Sequence, residues 1–176
     1  MNVKFSKTGK APLINFIPGC PRYLDKLIGE TRRHITVFVK FKPNCRYNGS
    51  STDEPNILFG YTLGKACCVY IGWKYVAVTD RIDINLITVS PSCSFSGFLG
   101  SFVVDTGYIL SLDLNTITQK ITAKYTRVLN KLISGEATTN NVLGVAPLGW
   151  SFGISPKLRI KCQPEKEMEI IIKRIN

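Results

Sequence analysis

Hydrophobic and polar positions alternate with a period of two through much of this chain. In residues 34–41, Ile35, Val37, Val39 and Phe41 fall on one side, with Thr36, Phe38 and Lys40 on the other. Successive side chains of a strand point to opposite faces, so this β-branched run predicts a strand with one buried face. Residues 57–63 and 67–71 are short apolar runs bounded by Gly60, Gly64 and Gly72. Strands are predicted there and at 73–79, and at 81–89, where Ile82, Ile84 and Leu86 alternate with Asp83 and Asn85 until Pro91 stops the pattern. Two more follow at 98–104 and 108–114, joined by the turn formers Asp105, Thr106 and Gly107. Residues 156–162 and 169–175 read as closing strands.

One stretch is ambiguous. In residues 116–133, Ile117, Ile121, Val128 and Leu132 have helical spacing, while Thr116, Thr118, Thr122 and Thr126 favour a strand. The spacing predicts a helix over at least 125–133, ended by Gly135. Residues 44–56 are rich in turn formers and read as an exposed loop. Short strands at 8–12-residue spacing with few helices predict a mainly β sandwich, barrel or jelly roll.

Composition sets the scale. The chain has 176 residues, 44% of them hydrophobic and 20% charged, which suits one globular domain and excludes wholesale disorder. The expected organisation is a single domain over 1–176, with a basic N-terminal segment to about residue 32 and a β core over about 33–175. No apolar run approaches the roughly 18 residues of a membrane span. The apolar stretch at 11–18 is short and broken by prolines, so no signal peptide and no secretion is expected. The six cysteines show no C-x-x-C spacing and read as reduced thiols of a cytoplasmic protein.

Net charge changes the picture most. It is +11, distributed as +8 over residues 1–50, −3 over 51–115 and +6 over 116–176. Two basic ends around an acidic middle point to an acidic partner, nucleic acid above all. Three groups of cations stand out. Arg22, Lys26, Arg32 and Arg33 form the first. Lys120, Lys124, Arg127 and Lys131 would make one stripe of a helix, and Lys120 and Lys124 would share a face even on a strand. Lys157, Arg159 and Lys161 alternate with Leu158, Ile160 and Cys162, as cations on one face of a strand would. Phe38, Tyr47, Tyr61 and Tyr125 are candidate platforms for stacked bases.

Catalytic constellations are sparse. His34 is the only histidine and reads as an ordinary strand residue. Asp80 with Asp83, and Asp105 with Asp113, read as turn residues and not as a general acid/base pair. No phosphate-binding loop, metal-ligand spacing or cofactor motif is present, so the expectation is a binding protein without cofactor or metal, not an enzyme.

The middle of the chain also resembles a known family. Residues 75–87 (YVAVTDRIDINLI), then 95–99 (FSGFL) with Asp105 and Thr106, then 150–155 (WSFGIS), occur in the order seen in the 30K superfamily of plant-virus movement proteins, most closely its short tombusvirus-like members. The resemblance spans about residues 73–160. It implies a jelly-roll-like antiparallel β-sandwich with one or two short helices. It further implies a non-enzymatic protein that binds single-stranded RNA or DNA without sequence preference and acts in the host cytoplasm and at plasmodesmata. Host plasmodesmal or membrane proteins and further copies of the chain are the other partners implied. Asp105 would be the family aspartate, holding a turn. A small jelly-roll capsid protein and an RNA-silencing suppressor are the alternatives; closed assemblies would mark the first and preference for duplex RNA the second.

Overall fold

The computed structural model describes residues 2–5, 25–26, 32–47, 54–63, 67–91, 94–115, 118, 120–140, 150–154, 159 and 167–175. They form twelve strands: β1 (Asn2–Phe5), β2 (Asp25–Lys26), β3 (Arg32–Phe41), β4 (Asn56–Leu63), β5 (Cys67–Val76), β6 (Arg81–Val89), β7 (Ser94–Val103), β8 (Gly107–Asn115), β9 (Lys120–Arg127), β10 (Ser134–Asn140), β11 (Trp150–Ile154) and β12 (Met168–Arg174). Among the described residues the one helical element is a single 3-10 turn at Pro43–Cys45. None of their helices is long and apolar enough to cross a membrane.

The strands make two six-stranded sheets, ordered β1-β12-β3-β8-β9-β10 and β2-β11-β4-β5-β6-β7, with every pairing antiparallel. The connectivity is that of a wound ribbon. β3 and β4 lie in opposite sheets, and the returning β11 and β12 pair with β4 and β3 respectively. The expected jelly-roll-like antiparallel sandwich is the fold observed.

Alternation builds the core. Ile35, Val37, Val39 and Phe41 of β3 point inward, as do Leu110, Leu112 and Leu114 of β8 and Met168, Ile170 and Ile172 of β12. They face Leu58, Phe59, Val69, Ile71, Trp73, Ile82, Ile84 and Leu86 of the opposite sheet. Each such side chain contributes roughly 1.5–3 kcal/mol by leaving water. A bulge between Ile57 and Phe59 lets consecutive residues Leu58 and Phe59 both enter the core.

Aromatic rings fill the wide part of the sandwich. Phe102 stacks on Tyr108 with centroids 3.8 Å apart, and Tyr125 leans on both. The Tyr108 hydroxyl accepts from the Val103 N–H at 2.9 Å, so its polar end is satisfied in a buried setting.

The predicted helix over 125–133 is not formed. Lys120–Arg127 is strand β9, residues 128–133 are the turn, and Ser134–Asn140 is strand β10, in which Gly135 lies opposite Tyr125. The apolar residues at helical spacing divide between two environments: Ile121 is in the core, whereas Val128 and Leu132 sit exposed in the turn. With no continuous apolar stripe to bury, the threonines' strand preference and pairing with β8 prevail. Strand limits shift elsewhere as well. The runs at 67–71 and 73–79 join into one strand through Gly72, and residues 77–80 are a turn. In the predicted exposed loop, Cys45 is fully buried and its thiol donates to the Glu169 carbonyl at 3.1 Å; burial pushes the thiol's pKa up to about 12.

Two turns carry aspartates in the left-handed region, Asp80 at φ 50° and Asp105 at φ 62°, a conformation Asp adopts more readily than most residues. Arg46 donates two bonds to the Asp80 carboxylate, at 2.6 and 2.8 Å, and the Tyr75 hydroxyl adds a third at 2.9 Å. These donors hold the carboxyl down at about 2.

Two predictions follow from this packing. A β-carbon on Gly60 would press on the Val69 carbonyl oxygen and the Tyr70 backbone across the β4–β5 pair. Gly60→Ala should therefore lower stability by about 1–3 kcal/mol in urea unfolding. For Asp80 the folded pKa lies below the unfolded value of roughly 3.9, so its contribution is full above pH ~4 and is lost as pH falls through about 2. Asp80→Asn, which keeps the left-handed turn, should flatten that part of the acid limb of a stability-versus-pH curve. An unchanged acid limb would show that the Arg46 clamp contributes nothing to it.

Candidate ligand groove on the open sheet face

The two outer faces differ. On the β4-β5-β6 sheet, Ile57, Tyr70 and Ile87 are buried as a second small apolar cluster, with Cys68 and Val89 against it. Arg159 lies over this face: its guanidinium is 5.3 Å from the Tyr70 ring centroid, and Nη1 donates to the Tyr70 hydroxyl at 3.2 Å and to Glu54 at 2.8 Å. The Arg159 N–H also donates to the side chain of buried Asn56 at 2.7 Å. That face is covered.

The outer face of β3-β8-β9-β10 is open and polar. Register sets its rows: His34 lies opposite Asp113, which lies opposite Thr122, which lies opposite Thr138. The next row runs Thr36, Ser111, Lys124, Glu136. From these rows His34, Asp113, Thr122, Ser111, Lys124 and Glu136, together with Asn115, Thr118 and Lys120, line a groove of about 460 Å³, a volume usual for ligand sites. Inward neighbours such as Leu112, Leu114, Ile121 and Ala123 are buried, so the polar residues are fixed outward by the core beneath them.

Inside the groove a line of side chains is pre-oriented. His34 Nε2 lies 2.7 Å from the Thr36 hydroxyl, and Nδ1 lies 3.4 Å from Asp113 Oδ2. Lys124 pairs with Glu136 at 2.9 Å and holds its carboxyl below the usual carboxylate range. Glu136 also accepts from Thr138 at 3.2 Å. Hydroxyl, imidazole and carboxylate occur here in the order of an acyl-transfer relay. The backbone N–H groups of the described strands point between strands in the sheet plane and not outward above Thr36. The arrangement suits binding: fixed donors and acceptors over a flat, partly recessed surface.

Of the residues singled out from sequence, the structure brings Lys120 and Lys124 together, with His34 and Asp113 beside them. The helical stripe that was to add Arg127 and Lys131 does not exist. On strand β9, Arg127 falls on the opposite face from Lys120 and Lys124, with Nε buried, and Lys131 is in the exposed turn. Arg159 belongs to no strand and holds the covered face through Glu54 and Tyr70. Arg22, Lys157 and Lys161 lie outside the described residues. Lys26, Arg32 and Arg33 are placed by backbone alone: Lys26 pairs with Trp150 in the other sheet, and Arg32 sits opposite Asn115.

Other cations are met by acids: Lys40 and Lys42 by Asp105, at 3.0 and 3.9 Å, and Arg46 by Asp80. Asp105 itself closes the β7–β8 turn, its N–H donating to the Phe41 carbonyl at 2.8 Å. Among the proposed aromatic platforms, Tyr47, Tyr61 and Tyr125 pack into the core or against it, leaving Phe38 on the outer face. The His34 line and the Glu136 partner were missed in the sequence. Register alone shows which residues of β3, β8, β9 and β10 become neighbours.

No protein-family model and no curated protein matches the chain. Among solved structures, it is similar to a heptameric SAP-like pentraxin from Limulus polyphemus, at 14% identity and TM-score 0.39 over 82% of this chain; the match spans 66% of the pentraxin. It is also similar to peanut lectin with a 9mer peptide, at 10% identity and TM-score 0.37, over 81% of this chain and 72% of the lectin. Neither likeness bears on what this chain binds.

Because Arg159 is a tether of the covered face, Arg159→Ala should lower stability by about 1–2 kcal/mol, from lost charged hydrogen bonds and ring contact. The same change should leave affinity for any ligand of the open groove within about twofold, the scatter expected of a distant independent site. A large affinity loss without destabilisation would place Arg159 in the binding surface instead.

Proposed function

We propose that this chain is a non-enzymatic binding protein that lays a single strand of RNA along the open β3-β8-β9-β10 face. One observation carries the reading: Lys120 and Lys124 stand on the same groove as a fixed set of hydroxyl, amide, imidazole and carboxylate groups. Phosphates would meet the two lysines, and ribose hydroxyls would exchange hydrogen bonds with Asp113, Ser111 and Thr122. Phe38, in the row beyond Thr36, supplies a ring for one base. The net charge of +11 supports a polyanionic partner and fast, salt-sensitive association. The sequence resemblance over 73–160 supports a viral setting, with the bound genome moving between host cells through plasmodesmata and the protein acting as a movement protein. Neither a capsid nor a silencing role gains support from this groove.

A second reading is favoured by the groove's charge balance. Lys124 is paired with Glu136, and Asp113 faces His34, so a neutral saccharide chain would find the same donors and acceptors without a field opposing it.

Filter binding with a salt series separates the two. Wild type should bind single-stranded RNA with affinity falling steeply in salt, and Lys120→Ala/Lys124→Ala should reduce the log–log slope by about 1.4, at roughly 0.7 per phosphate contact. DNA of the same sequence should bind less tightly, for want of the 2′-hydroxyl. If an uncharged polysaccharide competes as well as RNA, the saccharide reading replaces this one; if the double variant keeps the wild-type slope, RNA does not lie along the groove.

A further inference from the structure

One end of the sandwich displays apolar side chains that nothing in the described structure covers. In the β9–β10 turn, Leu129 is 85% exposed and Leu132 92%, with Val128 and Ile133 partly exposed beside them. In the β5–β6 turn, Val78 is 97% exposed. Register puts both turns at the same end: Arg81 pairs with Val103 and Tyr108 with Arg127, on either side of the β7–β8 turn. A single exposed leucine is ordinary for a folded protein, whereas four apolar residues in one six-residue turn are not.

The β9–β10 turn is built to hold this shape. The Arg127 N–H donates to the Ile133 carbonyl at 2.9 Å and the Val128 N–H to the Gly107 carbonyl at 3.0 Å. The Asn130 side chain accepts from the Leu132 N–H at 3.1 Å, and the Asn130 carbonyl accepts from the Ile133 N–H at 3.1 Å. Leu129 and Leu132 therefore project from a hydrogen-bonded turn and cannot fold back onto the core without breaking it. Charge is complementary to an anionic surface. Lys131 is exposed in a turn that contains no acid, Arg81 is exposed at the base of the neighbouring turn, and the aspartates at this end are already paired, Asp80 with Arg46 and Asp105 with Lys40 and Lys42.

We propose that this end of the sandwich docks on an anionic lipid bilayer. Leu129, Leu132 and Val78 enter the acyl boundary while Lys131 and Arg81 meet headgroup phosphates. Exposed aliphatic side chains flanked by Lys131 and Arg81 suit a deformable interface of headgroups over hydrocarbon. This surface lies apart from the groove and does not depend on what the groove binds.

Vesicle flotation tests it with the full chain. Wild type should float with vesicles containing phosphatidylserine and much less with phosphatidylcholine alone. Leu129→Ser/Leu132→Ser should reduce the partition coefficient by roughly a hundredfold, since each buried leucine is worth about tenfold or more. Lys131→Glu should weaken binding severalfold on anionic vesicles only. The thermal midpoint of each variant should match wild type because the altered side chains are exposed, and Lys120→Ala/Lys124→Ala should float like wild type. Failure of wild type to float, or flotation unaffected by the double serine change, would overturn the proposal. So would a concentration-dependent dimer abolished by that change, which would make the tip a contact between copies.

Discussion

Between the sheets, Trp73, Phe41, Phe59, Phe102 and Tyr108 exclude water together with the aliphatic side chains of β3, β6, β8 and β12. Because a strand has only two faces, each residue committed to this interior fixes its neighbours outward. A slip of one residue in β3 would exchange Ile35, Val37 and Val39 for His34, Thr36 and Phe38, placing polar groups in the core and aliphatic ones in water. The groove is thus a consequence of the core. Its rows of donors and acceptors exist because the buried rows beneath admit one register.

Electrostatics is organised locally. A +11 chain would repel itself if its cations stood alone, and the described surface answers with paired groups: Lys40 and Lys42 around Asp105, Arg46 on Asp80, Lys124 on Glu136, Arg159 on Glu54. Two of these pairs fix turns whose aspartates occupy left-handed backbone. Lys40, Lys42, Arg46 and Arg159 are therefore committed to acids of the fold itself. The cations proposed here to meet a partner are the few that lie at the groove and at the sandwich tip.

The fold was legible where alternation was strong. Residues 34–41 and 81–89 are legible as strands because β-branched residues recur at every second position over 35–39 and 82–84. The reading failed at 116–133, where a chance helical spacing of apolar residues outweighed the threonines. There Val128, Leu129, Leu132 and Ile133 proved to be turn residues in water, which no periodicity rule anticipates. The candidate site was legible in half. Lys120 and Lys124 share a face under either reading of their segment, but His34 has no carboxylate near it in sequence, because Asp113 meets it only through the β3–β8 register. Arg159 shows the same limit: its neighbours in space, Tyr70, Asn56 and Glu54, are far from it in sequence, and they make it a clasp.

The geometry of β9 links the two proposed surfaces. Lys120 and Lys124 stand on its outer face within the groove, and the strand then runs into the turn bearing Leu129 and Leu132. From Lys124 to the start of the turn is four residues, roughly 13 Å at strand rise. A ligand in the groove and a bilayer at the tip would therefore be held side by side on one rigid ladder, without competing for the same side chains. Binding at one would leave the other unobstructed, since the hydrogen bonds that shape the turn run to Gly107 and within 127–133, not to groove residues. Such an arrangement suits a protein that holds its ligand against a membrane. It requires no conformational change to do so, because the groove and the β9–β10 turn are already formed on the same pair of strands.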